Sequence, residues 1–320
     1  MCVAFWTLTH PEYALILAAN RDEFISRPTI PAQWHNFGSS SNSDILSGQD
    51  VMAGGTWLGV NKRGDFALLT NITELIGKFA SSRGELVSNF LKSTSCPDSR
   101  LSQYGSSLVT EQRVYAGFNL LALSPKSRGD GTIEYEGSII TNSGGGGKIV
   151  ARPLTEDESS CCGLSNSNDC TEPRVDENPD WPKLSEGKSL FKEIAGRVDW
   201  KGDKLIELLF DMMSTQNPTP PTSRYSLRTT IAVPPIPVEP KTWSSSITPD
   251  SVPASNDAAP ALQSQQTDFY CTRLTTVVLV KRDGIATFVE RDIWQMVEGK
   301  AEPVKANKSS QRKFCFRVGE

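Results

Sequence analysis

Histidine is nearly missing from this chain: His10 and His35 are the two among 320 residues. A Ser-His-Asp triad or a His-rich zinc site therefore has little material to be built from. Both histidines fall in turn or loop sequence and read as surface residues. Excess basic charge is also lacking, with 33 Lys and Arg against 37 Asp and Glu. Contacts to nucleic-acid phosphates need a basic face, so the balance argues against nucleic acid as a partner. No stretch approaches the roughly 20 apolar residues of a membrane-spanning helix. The opening has no basic start of a secretory leader, and His10-Pro11-Glu12 interrupts its apolar run. These features lead us to expect a cytoplasmic protein, with any association to an organelle peripheral. Seven cysteines, odd in number and scattered, suit a reducing compartment better than a disulfide framework.

What is present is concentrated in the first two dozen residues. Cys2–Leu8 reads as a strand, Thr9-His10-Pro11-Glu12 as a turn, and Tyr13–Ala19 as a second apolar run ending in Asn20-Arg21-Asp22-Glu23. Folding about His10–Pro11 pairs Leu8 with Tyr13 and brings Cys2 opposite Ala19, within a residue or two of register. A thiol, a guanidinium and two carboxylates then meet where the first strand begins. Removal of the initiator methionine before the small Cys2 would leave an α-amine and a thiol in one residue. Their ordinary pKa values, near ~8 and ~8.5, make a base and a nucleophile together. Arg21 would favour the thiolate and Asp22 could hold the ammonium. The plainer reading of Cys2 is a small buried hydrophobe at a strand start.

Further along, Pro28–Ser47 reads as loop, and Trp57–Val60 with Asp65–Asn71 as a second hairpin turning at Gly64. Asn71 ends a buried-looking strand and is either an oxyanion donor or a strand-end turn residue. Ser82–Lys92 predicts a helix with Ser82 and Glu85 as a capping box. Phe118–Leu123 and Thr132–Ile140 predict strands. Gly144–Gly147 before Lys148 lacks phosphate-loop spacing and reads as a loop. Cys161, Cys162 and Cys170 fall in polar loop sequence without the pairing of a zinc site. Lys188–Val198 and Asp203–Met213 carry helical apolar stripes. Thr215–Thr267 is rich in Pro, Ser and Thr, with a short strand at Thr230–Val233 and a disordered insertion at about 240–267. Leu274–Lys281 and Ile285–Glu290 form a last hairpin about Asp283-Gly284, and Lys313–Val318 a final strand. Hairpins first, helices in the middle and strands last make an α+β protein, one domain over 1–320 interrupted by the insertion.

Met1-Cys2, Leu15–Phe24 and Ser26-Arg27-Pro28 resemble the NRDE family, also called the transport and Golgi organisation protein 2 family. Gly54–Gly59, Leu68–Thr73, Arg83–Leu86, Gly117–Leu120, Gly163–Asn166, Trp181-Pro182-Lys183 and Thr272-Arg273 match it in order along the chain. The resemblance implies an N-terminal nucleophile hydrolase-like fold, a four-layer αββα sandwich with two antiparallel sheets, near the choloylglycine hydrolases and penicillin V acylases. It supports Cys2, Arg21 and Asp22 as the site and favours Asn71 as its donor. By resemblance Arg273 points into it, and Asn20 and Asn166 would contact the ligand.

Three functions follow as expectations. One is an amidohydrolase in which Cys2 attacks a non-peptide amide and Arg21 and Arg273 bind a substrate carboxylate. A second is a carrier using the same pocket; the resemblance implies haem or ligand trafficking, with no cofactor required and haem as cargo. The third is a factor in Golgi organisation and protein secretion that contacts secretory-pathway proteins. The resemblance places this cellular role first.

Overall fold

The computed structural model describes residues 2–38, 44–74, 79–111, 113–167, 181–221, 226–238 and 267–319. The expected insertion at about 240–267 lies outside the described residues except for Thr267.

Strands apolar on both faces need a layer on each side, and the two longest central ones show this pattern. The strands in chain order are β1 (Val3–Thr7), β2 (Tyr13–Phe24), β3 (Thr29–His35), β4 (Ile45–Asp50), β5 (Leu58–Asn61), β6 (Phe66–Asn71), β7 (Phe118–Ser127), β8 (Ile133–Thr141), β9 (Val150–Pro153), β10 (Cys162–Leu164), β11 (Ile236–Val238), β12 (Asp268–Lys281), β13 (Ile285–Asp292), β14 (Trp294–Gln295), β15 (Val304–Lys305) and β16 (Arg312–Arg317). One antiparallel sheet runs β10-β1-β2-β12-β13-β16, with β11 added to β12; the other is the meander β3 to β9. The main helices are α1 (Gly84–Lys92), α2 (Arg100–Thr110), the short α3 (Glu156–Ser160), α4 (Pro182–Ala195) and α5 (Gly202–Met213).

Three apolar cores separate four layers. Trp6, Leu15 and Leu17 meet Leu58, Phe66 and Leu121 between the sheets. Val3, Phe5, Ile16 and Val277 meet Leu184, Phe191, Leu209 and Met213 under α4 and α5. Leu69, Phe118 and Leu120 meet Leu86, Phe90 and Leu108 under α1 and α2. The result is the expected αββα sandwich.

Several local expectations change. Pro28–Ser47 is not all loop: β3 and β4 pair through it, with a register shift between Ile30 and Gln33. An edge strand tolerates Pro31 because its missing N–H need not enter a ladder. Cys162 belongs to β10, paired to β1, rather than to a loop. The short late strand is Ile236–Val238, not Thr230–Val233, whose backbone nonetheless docks through Ala232 to Thr215 and through Val233 to Thr272. Ser82 does not cap α1, whose N-cap is Arg83 with no side-chain cap. Helix α2 was not anticipated, although Leu101, Tyr104 and Leu108 follow helical spacing. Neither histidine lies free on the surface. His10 is 6% exposed, and its Nδ1 accepts the backbone N–H groups of Glu12 and Tyr13; His35 lies in β3 bonded to Ser47.

Gly187 shows how tightly α4 sits on the first sheet. A Cβ there would overlap the ring of Phe5, which is fully buried and cannot withdraw. Gly187→Ala is expected to cost about 1–3 kcal/mol, the usual penalty for overpacking a dense core. A urea melt that shows no loss would contradict this packing.

Candidate active site at the start of the first strand

The β1–β2 hairpin pairs two residues from the centre of the expected register, within the residue or two allowed for it. Val3 pairs with Asn20 and Thr7 with Ile16, so one further step sets Cys2 opposite Arg21 rather than Ala19. The wide turn held by His10, and the bond from Leu8 N–H to the Ser159 carbonyl, draw the tip away from tight pairing. The shift is two residues, which preserves the pleat: each side chain keeps the face it would have had.

That alternation splits the tetrad. Arg21 turns between the sheets and Asp22 toward the helices. Arg21 is 4% exposed; its Nη1 donates to Thr29 Oγ1 at 2.9 Å, and its guanidinium lies 4.0 Å over the Trp57 ring. Burial draws its pKa down to about 10, against the opposing pull of Glu23, so it remains a cation at neutral pH.

Arg273 reaches the same spot through a bulge. Thr272 pairs with Asp22 and Leu274 with Arg21, leaving Arg273 as the extra residue of β12. Its Nη1 donates to Thr29 Oγ1 at 3.0 Å and to the Arg27 carbonyl at 2.5 Å, so two guanidiniums converge on one hydroxyl. Arg83 is a third, half-buried cation within the field of Cys2 and Glu23.

Cys2 is half-buried. Burial pushes its thiol pKa up and the Asp22 carboxylate adds to that, while the charge of the terminal ammonium, a hydrogen bond from the Asp22 backbone and the charge of Arg21 favour the thiolate. Ser165 Oγ donates to the Cys2 carbonyl at 2.9 Å, and Thr70 Oγ1 donates to the Ser165 carbonyl at 2.6 Å. The strap after β10 thereby ties Cys2 to the second sheet. A cavity of about 10 Å³, the size of one water, is lined by Cys2, Ala19, Trp57, Leu68 and Thr70 among others.

The remaining expected residues are placed as follows. Asn20 spends its amide hydrogens on the Met213 and Ile231 carbonyls and accepts from Thr275 Oγ1, joining β2 to the helix layer. Asn166 is buried and donates to the Asn71 carbonyl at 2.5 Å. Alternation along β6 gives Asn71 the face of Leu69, opposite to that of Thr70. Asp22 is 3% exposed and accepts from Thr272 Oγ1 at 2.6 Å; burial raises its pKa, and the terminal ammonium, Lys183 and Thr272 work against that rise.

Lys183, read from the sequence only as part of a family-matching block, was given no site role. It lies in the first turn of α4, is wholly buried, and faces the field of Asp22 and Cys2. A signal for it existed: Lys183, Gly187 and Phe191 are spaced along one helix face, and the latter two pack against Phe5. Trp57 was likewise read as a strand residue within a family-matching block and given no site role. Among the described residues no cluster of three or more His, Cys, Asp or Glu is placed to hold a metal ion. No described helix is long and apolar enough to cross a membrane.

The family model described as Transport and Golgi organisation 2 matches residues 1–295. The chain belongs to that family. A Bos taurus "Transport and Golgi organization protein 2 homolog" is 34% identical over 303 residues, covering 92% of this chain and 93% of its own. The Homo sapiens family member of the same name is also 34% identical, over 304 residues with the same coverage. Among solved structures, a Caenorhabditis elegans N-acylethanolamine-hydrolyzing acid amidase ortholog is similar at 12% identity and a TM-score of 0.43, covering 65% of this chain and 85% of that one.

The raised pKa of Asp22 makes a pH prediction for this family member. A carboxyl that binds its proton more tightly when folded stabilises the fold below the ordinary carboxylate range. That contribution is lost as pH rises through the folded-state value. Asp22→Asn keeps an acceptor for Thr272 and never ionises. It is expected to melt above wild type at pH 7, with the gap closing as the pH falls to the ordinary carboxylate range. Calorimetry at both pH values checks this, and a variant less stable at pH 7 would contradict it.

Proposed function

We propose that the protein serves Golgi organisation and protein secretion through a small-molecule site on Cys2, and that the chemistry there is cleavage of an amide bearing a carboxylate. The family supports the cellular role. One observation carries the chemistry: a thiol and a buried guanidinium face each other across β1 and β2 beside a cavity with room for one water. A carbonyl oxygen is of that size. Arg21 and Arg273, converging at Thr29, provide paired donors of the kind that hold a carboxylate.

With Met1 removed, the α-amine of Cys2 takes the thiol proton and Sγ bonds to the amide carbon. The C–N bond then breaks, the departing amine takes that proton, and water hydrolyses the thioester to release the acid and restore the thiol. The protein would work in the cytosol, peripherally at the Golgi or another organelle.

Carriage of haem is the second reading, supported by one thiol beside two arginines: thiolate ligates iron, and guanidiniums pair with propionates. Against it, the described cavity has no room for a macrocycle beside Cys2.

Intact mass of the protein from its own cells is the first test. Loss of one methionine is expected, followed by turnover of carboxylated amides that Cys2→Ala abolishes. Retained Met1 with no turnover would overturn the hydrolase reading. An absorption band that appears on adding haem and disappears in Cys2→Ala would favour the carrier.

A further inference from the structure

A buried guanidinium is ordinarily paired with a carboxylate, because an opposite charge best replaces the hydration it loses. Among the described residues Arg21 has no such pair. Its hydrogen bond goes to the Thr29 hydroxyl, and the nearby carboxylates belong to Arg27, which lies 2.7 Å from Asp50 and 3.9 Å from Glu23. What lies against the Arg21 charge is the Trp57 ring, with its centroid 4.0 Å from the guanidinium carbon. That ring is set between the sheets. It packs on Gly48 of β4, where a Cβ would overlap its Cη2, and the Trp57 carbonyl accepts the Leu69 N–H at 2.8 Å. Trp57 also lines the cavity beside Cys2.

The face of an indole attracts a cation through its quadrupole and carries no net charge. Stacked on Trp57, Arg21 is stabilised where it is buried and still keeps its positive charge. Arg273 adds to that charge, and its own acceptors are neutral as well: the Phe24 and Arg27 carbonyls and the Thr29 hydroxyl. Stacking uses the face of a guanidinium, whereas a carboxylate is held along its edge, so ring and anion do not compete. We propose that Trp57 is the positioning residue for anion recognition at Cys2: it holds Arg21 beside the thiol as an unpaired cation, and a carboxylate on the ligand supplies the missing partner. This rests on the reading of the site as one that takes a carboxylate. An acidic side chain in place of Trp57 would pair with Arg21 and cancel the charge. An aliphatic one would leave Arg21 nothing to stack on. Gly48 belongs to the same arrangement, since a side chain there would push the indole off its place.

Iodoacetate and iodoacetamide alkylate the same thiolate and differ in one carboxylate. Their rate ratio at each cysteine, read peptide by peptide by mass spectrometry on the full chain, reports anion recruitment apart from the reactivity of the thiol. The exposed Cys96 and Cys315 are internal standards. In wild type the ratio at Cys2 is expected about tenfold above theirs, the least that one charge-assisted hydrogen bond gives. Trp57→Leu should bring it down to theirs, and Trp57→Phe should keep most of it because a ring face remains. Gly48→Ala should lower it with the indole still present, and it decides the matter should Trp57→Leu not fold. An unchanged ratio in the variant that folds would overturn the proposal and leave the carboxylate reading standing. A wild-type ratio equal to that of the standards would overturn both. A Trp57-dependent ratio in a protein that cleaves no amide would uphold the anion site and overturn the hydrolase reading.

Discussion

Burying an arginine, an aspartate and a lysine next to one thiol is the constraint on which the rest of the site depends. Each charge loses hydration, so each needs a partner at the end of a strand where the ladder itself supplies few. The pleat resolves the conflict by sending neighbours to opposite faces. Arg21 passes between the sheets to Thr29 and the Trp57 ring, while Asp22 passes under α4 to Thr272 and the field of Lys183. Cys2, opposite Arg21, is the point where the two sets meet. Sending Arg21 and Asp22 to opposite faces gives each its own buried partners.

The four layers are what make those faces different. One side of the first sheet is closed by the second sheet and the other by α4 and α5, so both ends of the tetrad are shielded from water. Two small devices adjust the result. The bulge at Arg273 gives β12 an extra residue and brings a second guanidinium to Thr29 without disturbing the pairing on either side. The strap carrying Ser165 and Asn166 bonds both to the Cys2 carbonyl and to β6, so the strand start cannot drift from the second sheet. Away from the site a separate buried network, Arg100 with Asp65 and Ser124, performs the same service of charge satisfaction for the second sheet.

Long, patterned segments were legible from the chain. The apolar stretch of β2, the β12–β13 hairpin and the stripe of α5 carry periodicities that only one element satisfies. Short or edge elements were not. Residues 30–34 contain a proline and alternate poorly, yet pair because β4 offers a ladder. Cys162–Leu164 is only three residues, and becomes a strand because β1 lies beside it. His10 looked like a surface turn residue and is instead buried as acceptor for two backbone amides. Asn20, grouped with its charged neighbours by sequence, serves as a clasp between β2 and the helix layer.

By itself the sequence determined an α+β class and the placing of a thiol near a charged tetrad, because periodicity and turn residues act over a few neighbours along the chain; the family was carried by its residue blocks, and the layers by that resemblance. A period of two survives a register shift of two, so the pleat of the hairpin was kept. Only the tertiary structure decided that Cys2 faces Arg21, that Arg273 joins through a bulge, and that Lys183 is buried within the field of Asp22. The first depends on where a hairpin turn sets its register, and the other two on contacts between segments far apart in the chain, where the cost of burying each charge is set by what the other segment brings to meet it.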